Sequence, residues 1–386
     1  MALKICFNTT IFITLKTFLT RQSEFLISQG WDVTWICGNE PPDKESIPSK
    51  VKLIVIPMKR GNDFFGAPRT IWLLYKHYKK EKYNIVQYST PNASLYASIA
   101  SRLAGIRIRV YGQWGIRYIA FDGFSRLVYK QFEKIACRNS TIIEPDSKSN
   151  LNFSVEEGLY LVTKGRVIWN GSSCGVDLKK FDIEKKINWR KAKREKLGYK
   201  ENDIVIGFVG SIAREKGLNE LLEACQILFT QKQDYRLLIV GYKESYHTIF
   251  SELREWLENS PRVSVLPPTN EIAQYMACMD ILSLPSYREG FGMVVVEAEA
   301  MGIPVVVSNV PGPIDGMQNE VTGLVVPVKN SEKLAEALSL LGNDETKRLE
   351  FGKKAVIFVH EKFEQNEFLK KVVEDKVSLI KASEIE

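Results

Sequence analysis

Asp280-Ile-Leu-Ser-Leu-Pro-Ser-Tyr-Arg-Glu289-Gly-Phe-Gly-Met-Val-Val-Val-Glu297-Ala-Glu-Ala-Met-Gly-Ile-Pro-Val305 reads as a buried strand, a glycine turn, a helix and the start of another strand. That is the repeating unit of a parallel α/β sheet. Gly290 and Gly292 let the backbone approach a ligand closely and take conformations closed to residues with a Cβ. A helix starting near Gly292 aims its first amides and the positive end of its dipole at the loop, which suits a pyrophosphate. Glu289 then stands at the mouth and Glu297 about a turn and a half inside, so one ligand can engage both. Alone, each acid or glycine is equally what a turn and a surface helix would carry. Together they read as a cradle for a sugar nucleotide.

A second element lies upstream, where Ile204-Val-Ile-Gly-Phe-Val-Gly210 leads into Ser211-Ile-Ala-Arg214-Glu-Lys216-Gly-Leu218. An apolar strand, a glycine and a basic loop before a helix is how an α/β sheet presents charge at the carboxyl ends of its strands. Cations at a helix start are slightly unfavourable beside the dipole, which argues for an anionic ligand there. Phosphate that gains charge as it leaves is stabilised by such groups, so Arg214 and Lys216 are candidates for catalysis as well as binding.

The chain has 386 residues, enough for two domains with full cores. Apolar runs suited to buried parallel strands occur at Leu3 to Phe7, Val33 to Cys37, Leu53 to Ile56, Ile85 to Tyr88, Ile106 to Tyr111 and Thr141 to Ile143. A second series begins at Ile204, Leu237, Val263, Ile281, Pro304 and Leu324. Helical patterns separate them, which implies parallel sheets with right-handed crossovers. The boundary falls near residues 170 to 200, and the lysine-rich stretch from Lys179 to Lys200 reads as a solvated connection.

The segment from Glu289 to Val305 resembles the E-x7-E signature of retaining glycosyltransferases of family 4, including the Gly-x-Pro-Val that follows. Gly210 to Gly217 is similar to that family's G-x-x-x-x-x-K-G phosphate site. The resemblance implies the GT-B fold, two Rossmann-like doubly wound domains facing across a cleft. It divides the chain into an acceptor domain over 1–175, a nucleotide-sugar domain over 176–360, and a last helix over 361–386 crossing back to the first. It gives Glu289 and the backbone of Gly290, Phe291, Gly292 and Met293 to the donor sugar and phosphate, and Glu297 to the ribose. Arg214 and Lys216 take the phosphate beside Gly210 and Ser211, and Arg214, Lys216 and Glu289 become the catalytic set. Asn170-Gly-Ser-Ser-Cys-Gly-Val-Asp177 looks like the N-G-x-x-x-G-V-D stretch of bacterial members that extend lipid-linked capsule, O-antigen or N-glycan precursors. It is also a natural interdomain turn, and both readings can hold. Val110-Tyr-Gly-Gln113-Trp114-Gly-Ile-Arg117-Tyr118 corresponds to a segment of the same group where acceptor and donor sugar meet, making Gln113, Trp114 and Arg117 candidates for acceptor contacts. Trp114 stands where those relatives often have Arg, and the histidine that many members place in this region has no counterpart nearby.

His77, His247 and His360 are scattered, adjoin no carboxylate or cysteine at ligand spacing, and no Asp-x-Asp motif occurs. A metal site is therefore not expected, and no cofactor is expected beyond the nucleotide-sugar substrate. The six cysteines form no Cys-x-x-Cys pair and read as buried thiols of a reducing compartment. Lys4 and Lys16 interrupt the amino-terminal apolar residues, which argues against a signal peptide, and no uncharged run approaches bilayer length. Residues 1 to 170 hold 24 Lys and Arg against 13 Asp and Glu, a balance of +11, whereas 171 to 386 balance at −4. Two segments mix cations with aromatics, Phe64 to Lys80 and Trp114 to Lys134. Either could be an amphipathic helix packed on a sheet, and nothing beside them resembles a nucleic-acid module.

The expectation is thus a retaining, metal-independent glycosyltransferase. It moves a hexose or N-acetylhexosamine from a nucleotide, UDP foremost, to a lipid-pyrophosphate-linked saccharide in bacterial surface polysaccharide synthesis. Expected partners are the nucleotide sugar, that acceptor and an anionic membrane surface, with the protein cytoplasmic and peripheral on the inner face of the cell membrane. Alternatives are a GT-B sugar-nucleotide epimerase or hydrolase, and a non-enzymatic scaffold of a glycan-assembly complex.

Overall fold

Each of the twelve apolar runs forms a strand in the computed structural model, which describes residues 2–39, 41, 44–59, 61, 63, 65–243 and 245–385. Two units divide the chain, Met1–Gly175 with Asn366–Glu386, and Val176–Gln365. The first contains β1 (Lys4–Asn8), α1 (Phe12–Ser28), β2 (Asp32–Cys37), β3 (Lys52–Val55), α2 (Ala67–Glu81), β4 (Ile85–Tyr88), α3 (Pro91–Leu103), β5 (Ile108–Gln113), α4 (Gly123–Asn139), β6 (Ile142–Pro145) and α5 (Lys148–Glu156). The second contains α6 (Lys186–Leu197), β7 (Ile204–Val209), α7 (Leu218–Gln231), β8 (Tyr235–Val240), α8 (Ser251–Asn259), β9 (Val263–Leu266), α9 (Ile272–Ala277) and β10 (Ile281–Leu284). It continues with α10 (Met293–Ala300), β11 (Val305–Ser308), β12 (Gly323–Val326), α11 (Ser331–Asn343) and α12 (Glu345–Lys362). A last helix, α13 (Gln365–Ile385), supplies the carboxyl-terminal part of the first unit.

Both sheets are parallel, in the orders β3-β2-β1-β4-β5-β6 and β12-β11-β10-β7-β8-β9. Read from β7, the second order repeats the first. Strands covered by helices on both faces bury every residue, which is why β10 and β11 are buried at each position and apolar but for Ser283 and Ser308. In each sheet the winding reverses between two neighbours, β1 and β4 in one, β7 and β10 in the other. Loops leaving such a pair diverge and open a crevice at the carboxyl ends of the strands.

The lysine-rich stretch before β7 is not a solvated connection. It folds as α6, where Arg190 and Arg194 each reach a different carboxylate oxygen of Asp280 at 2.6 Å. That carboxylate also accepts from Val205 N at 2.7 Å. Burial of Lys186 pushes its pKa down to about 8, and its ammonium donates to the Gly302 carbonyl. These cations pin the helix to the amino ends of the central strands β7 and β10, because a buried charge is tolerated only when paired.

Helix α13 is held to the first unit by Val373, Val377 and Ile380, which pack with Ile5, Phe7 and Trp35. Fully buried Lys376 pairs with Glu144 at the end of β6, and Asp375 receives Arg166 at 2.7 Å. Burial raises the Glu144 pKa to about 7 against the opposing pull of the Lys376 ammonium. Phe64, the first residue of one aromatic-basic segment, and Glu386 lie outside the described residues.

Candidate active site

The crevice between β7 and β10 gathers most of the residues singled out in the second half of the sequence. After β7 the chain turns through Gly210, whose φ is +153°, and reaches a short helical turn at Arg214–Lys216. Gly217, φ +73°, caps α7 and lies against Pro285 just past β10, where a Cβ would come 2.1 Å from the Pro285 carbonyl oxygen. This close approach brings the basic loop beside the glycine turn.

There Lys216 Nζ lies 2.7 Å from Glu289 Oε1, which also accepts from Ser286 Oγ at 2.8 Å. Both charged side chains are largely covered, so their attraction is less screened than at an open surface. Both bonds go to Oε1, which leaves Oε2 of Glu289 to accept from a ligand. The neighbouring acids and bases are also tied in pairs. Arg288 meets Glu215 at 2.8 Å, and Tyr287 OH donates to Glu220 at 2.6 Å. Arg214 has its amide on Thr248 Oγ1 at 2.9 Å and its guanidinium 5.2 Å from the Phe250 ring centre. Burial and then the Glu220 carboxylate push the Tyr287 phenol up, with Arg214 opposing them.

Past Glu289 the turn is shaped by two glycines. Gly292, φ +78°, caps α10, and Gly312, φ +101°, packs so closely that a Cβ would stand 1.7 Å from the Gly290 carbonyl oxygen. Phe291 turns its ring into the core, 5.3 Å from Phe363, so only its backbone faces the turn. Glu297 follows one turn into α10 as a half-buried carboxyl whose pKa burial raises, with Lys180 pulling the other way. Glu299, two residues further, is fully buried and its carboxyl is pushed well above the usual range by desolvation. Of the two acids after the turn, Glu297 is the one a ligand can reach.

Ser286, Tyr287, Thr248, Gly241 and Gly312 were not marked in the sequence. Gly241 supports the turn at Gly210 from beneath, since a Cβ there would come 1.7 Å from the Gly210 carbonyl oxygen. Ser286 adjoins the motif and could have been found from its spacing. Gly241 and Gly312 lie on other strand exits, and only the fold shows what they touch.

In the first unit the structure separates the three acceptor candidates. Gln113 is fully buried, with its amide donating to Glu133 Oε1 at 2.8 Å and its oxygen accepting from Ser154 and Tyr160 at 3.0 Å. Tyr111 adds a second bond to Glu133, and burial still pushes that acid up. Trp114 is half-buried beside Phe18, ring centres 5.5 Å apart. Arg117 lies over the Tyr129 ring at 4.5 Å and lines a cavity between α2, α3 and α4. Among the described residues, no group of three or more His, Cys, Asp or Glu side chains is placed to hold a metal ion.

Two six-stranded parallel sheets, with a lysine, a glutamate and a glycine turn at the switch point of the second, define a doubly wound α/β architecture. Residues 190–356 match the model of glycosyl transferases group 1, and residues 4–147 match the glycosyl transferase 4-like model. The chain is 31% identical over 342 residues to the capsular polysaccharide biosynthesis glycosyltransferase CapM of Staphylococcus aureus, covering 89% of this chain and 88% of that one. It is 27% identical to the UDP-Gal:alpha-D-GlcNAc-diphosphoundecaprenol alpha-1,3-galactosyltransferase of Escherichia coli, over 84% and 83% of the two chains. Its fold matches sucrose-phosphate synthase from Thermosynechococcus elongatus with a TM-score of 0.79 at 18% identity, over 98% of this chain and 100% of that one. The chain belongs to the group 1, family 4-like glycosyltransferases and has the GT-B fold.

Proposed function

We propose that this glycosyltransferase retains anomeric configuration and transfers a hexose or N-acetylhexosamine from a UDP-sugar to a lipid-diphosphate-linked saccharide, in capsule or O-antigen assembly. The observation that carries the proposal is the Lys216–Glu289 pair at the β7/β10 switch point, with Glu297 one turn into the helix that follows. Lys216 and Arg214 meet the diphosphate, Glu297 takes the ribose hydroxyls, and the second oxygen of Glu289 accepts from the donor sugar. The acceptor and pathway follow the names of the capsular and diphosphoundecaprenol relatives. As the bond from the anomeric carbon to the β-phosphate oxygen breaks, charge grows on that oxygen and the Lys216 ammonium stabilises it. The departing phosphate takes the proton of the acceptor hydroxyl, whose oxygen forms the new bond on the same face, and UDP leaves. Lys216 and Arg214 supply the positive charge, so the reading requires no metal.

Among the described residues no helix is long and apolar enough to cross a membrane. The +11 charge balance of residues 1 to 170 supports seating the protein on the inner face of the cell membrane through its basic first unit. The test is a nucleotide-sugar screen with lipid-linked acceptors in excess chelator, followed by anomeric analysis of the product. Transfer with inverted configuration, or activity lost in chelator and restored by magnesium or manganese, rejects the mechanism. Donor consumed equally fast without acceptor points to a hydrolase or epimerase.

A further inference from the structure

The two aromatic-basic segments noted in the sequence end up as walls of one cavity. Helices α2 and α4 flank α3, and between them runs a groove of about 240 Å³ lined by Ala67, Ile71, Leu95, Tyr96, Phe132 and Ala136. Its polar lining is already engaged. Glu133 accepts from Tyr111 and Gln113, Asp63 accepts from Gly66 N, and Asn92 donates to the carbonyls of Lys59 and Gly61. Among the described residues, Arg117, stacked on Tyr129, is the cation in the lining. The same helices carry exposed Trp72, Phe124 and Leu127. Exposed Arg69, Lys76, Lys79 and Lys80 share α2, with the Lys76 ammonium 3.7 Å from the Trp72 ring centre.

An apolar slot with a cation, Arg117, in its wall, on helices that expose aromatics and lysines, fits a hydrocarbon chain joined to a phosphate. We propose that this groove binds the first isoprene units of the acceptor's polyprenyl tail and that Arg117 meets the adjoining phosphate. The assignment rests on the lipid-linked acceptor proposed above and adds where that lipid sits. A cavity of roughly 150 Å³ takes one benzene, so this groove accommodates roughly ten carbons, about two isoprene units. Each methylene buried contributes about 0.8 kcal/mol, so two isoprene units suffice for a strong preference for longer tails.

Two measurements test it on the full-length protein. A polyprenyl diphosphate carrying a photoreactive group in its first isoprene units is crosslinked and the adducts mapped. Adducts within residues 61–96 and 117–136, competed by unlabelled polyprenyl phosphate, are expected, and adducts elsewhere overturn the assignment. In parallel, acceptors with the same saccharide and either one or several isoprene units are compared. Wild type should favour the longer tail by at least about tenfold in kcat/KM. Leu95→Trp, which fills the groove, should bring that ratio close to one. An unchanged ratio in folded Leu95→Trp overturns the groove, and if the variant fails to fold the crosslink map on wild type decides. If no lipid-linked saccharide is glycosylated at any tail length while UDP still binds, the acceptor reading itself fails and the groove assignment falls with it.

Discussion

Lys216 and Glu289 neutralise each other at 2.7 Å, so the effect of removing either depends on what it releases. Lys216→Ala removes a charge that a leaving diphosphate needs and should lower turnover at least about tenfold, or about 1.4 kcal/mol, with Tm near wild type. Arg214→Ala should act in the same direction. Normal kinetics in a folded double variant would remove the phosphate role from this loop. Glu289→Ala frees the Lys216 ammonium as well as deleting an acceptor for the sugar. UDP affinity should therefore hold or tighten while transfer falls. Glu297→Gln touches no cation in the loop and should weaken UDP itself. Calorimetry with UDP alone and with intact donor separates the two, and equal losses for both ligands in both variants would contradict the division of roles.

At the scale of elements, the glycine turn is held from outside the motif. Gly312→Ala places a methyl against the Gly290 carbonyl at a φ of +101°, a conformation that L side chains rarely adopt. It should cost about 1 kcal/mol or more in stability and weaken donor binding, read by thermal melts and by calorimetry. Wild-type donor affinity in this variant would show that the turn does not need its backing. Helix α13 offers a pH test. Glu144 has a folded pKa near 7 and an unfolded value near that of an ordinary glutamate, so the folded chain binds the proton more tightly. Its contribution is fully present below about pH 4.5 and is lost as pH rises through about 7, with a slope of at most about 1.4 kcal/mol per unit. The stability of wild type relative to Glu144→Gln should therefore fall between pH 5 and 7, as denaturant melts across that range would report. A flat or rising difference would contradict it. All twelve strands, the Gly292 helix start and the loop at Arg214 to Lys216 were legible, because buried parallel strands and glycine turns write their pattern locally. Asp280, the clamp on α6, lies 86 residues from Arg194, so the cations of α6 read as solvated. Gly312 and Gly241 were invisible for the same reason, since each matters through a carbonyl on a different strand exit. Gln113 was read from its neighbours in sequence, whereas its amide is spent inside the first unit on Glu133, Ser154 and Tyr160.

Over the whole molecule, the charge is unevenly shared, with +11 on residues 1 to 170 and −4 on the rest. Helix α2 concentrates part of that excess beside an aromatic side chain. Trp72 is half exposed under the Lys76 ammonium, and Lys79 and Lys80 are exposed in the last turn. Anionic lipid attracts such residues with about 1 kcal/mol each near the surface, and the Debye length shrinks from about 10 Å at 0.1 M salt to about 3 Å at 1 M. Wild type should thus co-sediment with anionic liposomes at low salt, release at high salt, and leave neutral liposomes unbound. Replacing Lys76, Lys79 and Lys80 with Glu should reduce binding without changing UDP affinity. Acids in the last turn of a helix oppose its dipole by up to about 1 kcal/mol, so a melt must first show that the variant remains folded. A Gln triple variant, which removes charge without reversing it, should then bind at an intermediate level. If the folded Glu variant sediments as well as wild type, or if wild type binds neither kind of liposome, α2 is not the membrane face. Its lysines would then serve the acceptor diphosphate instead, and the salt dependence should appear in acceptor KM.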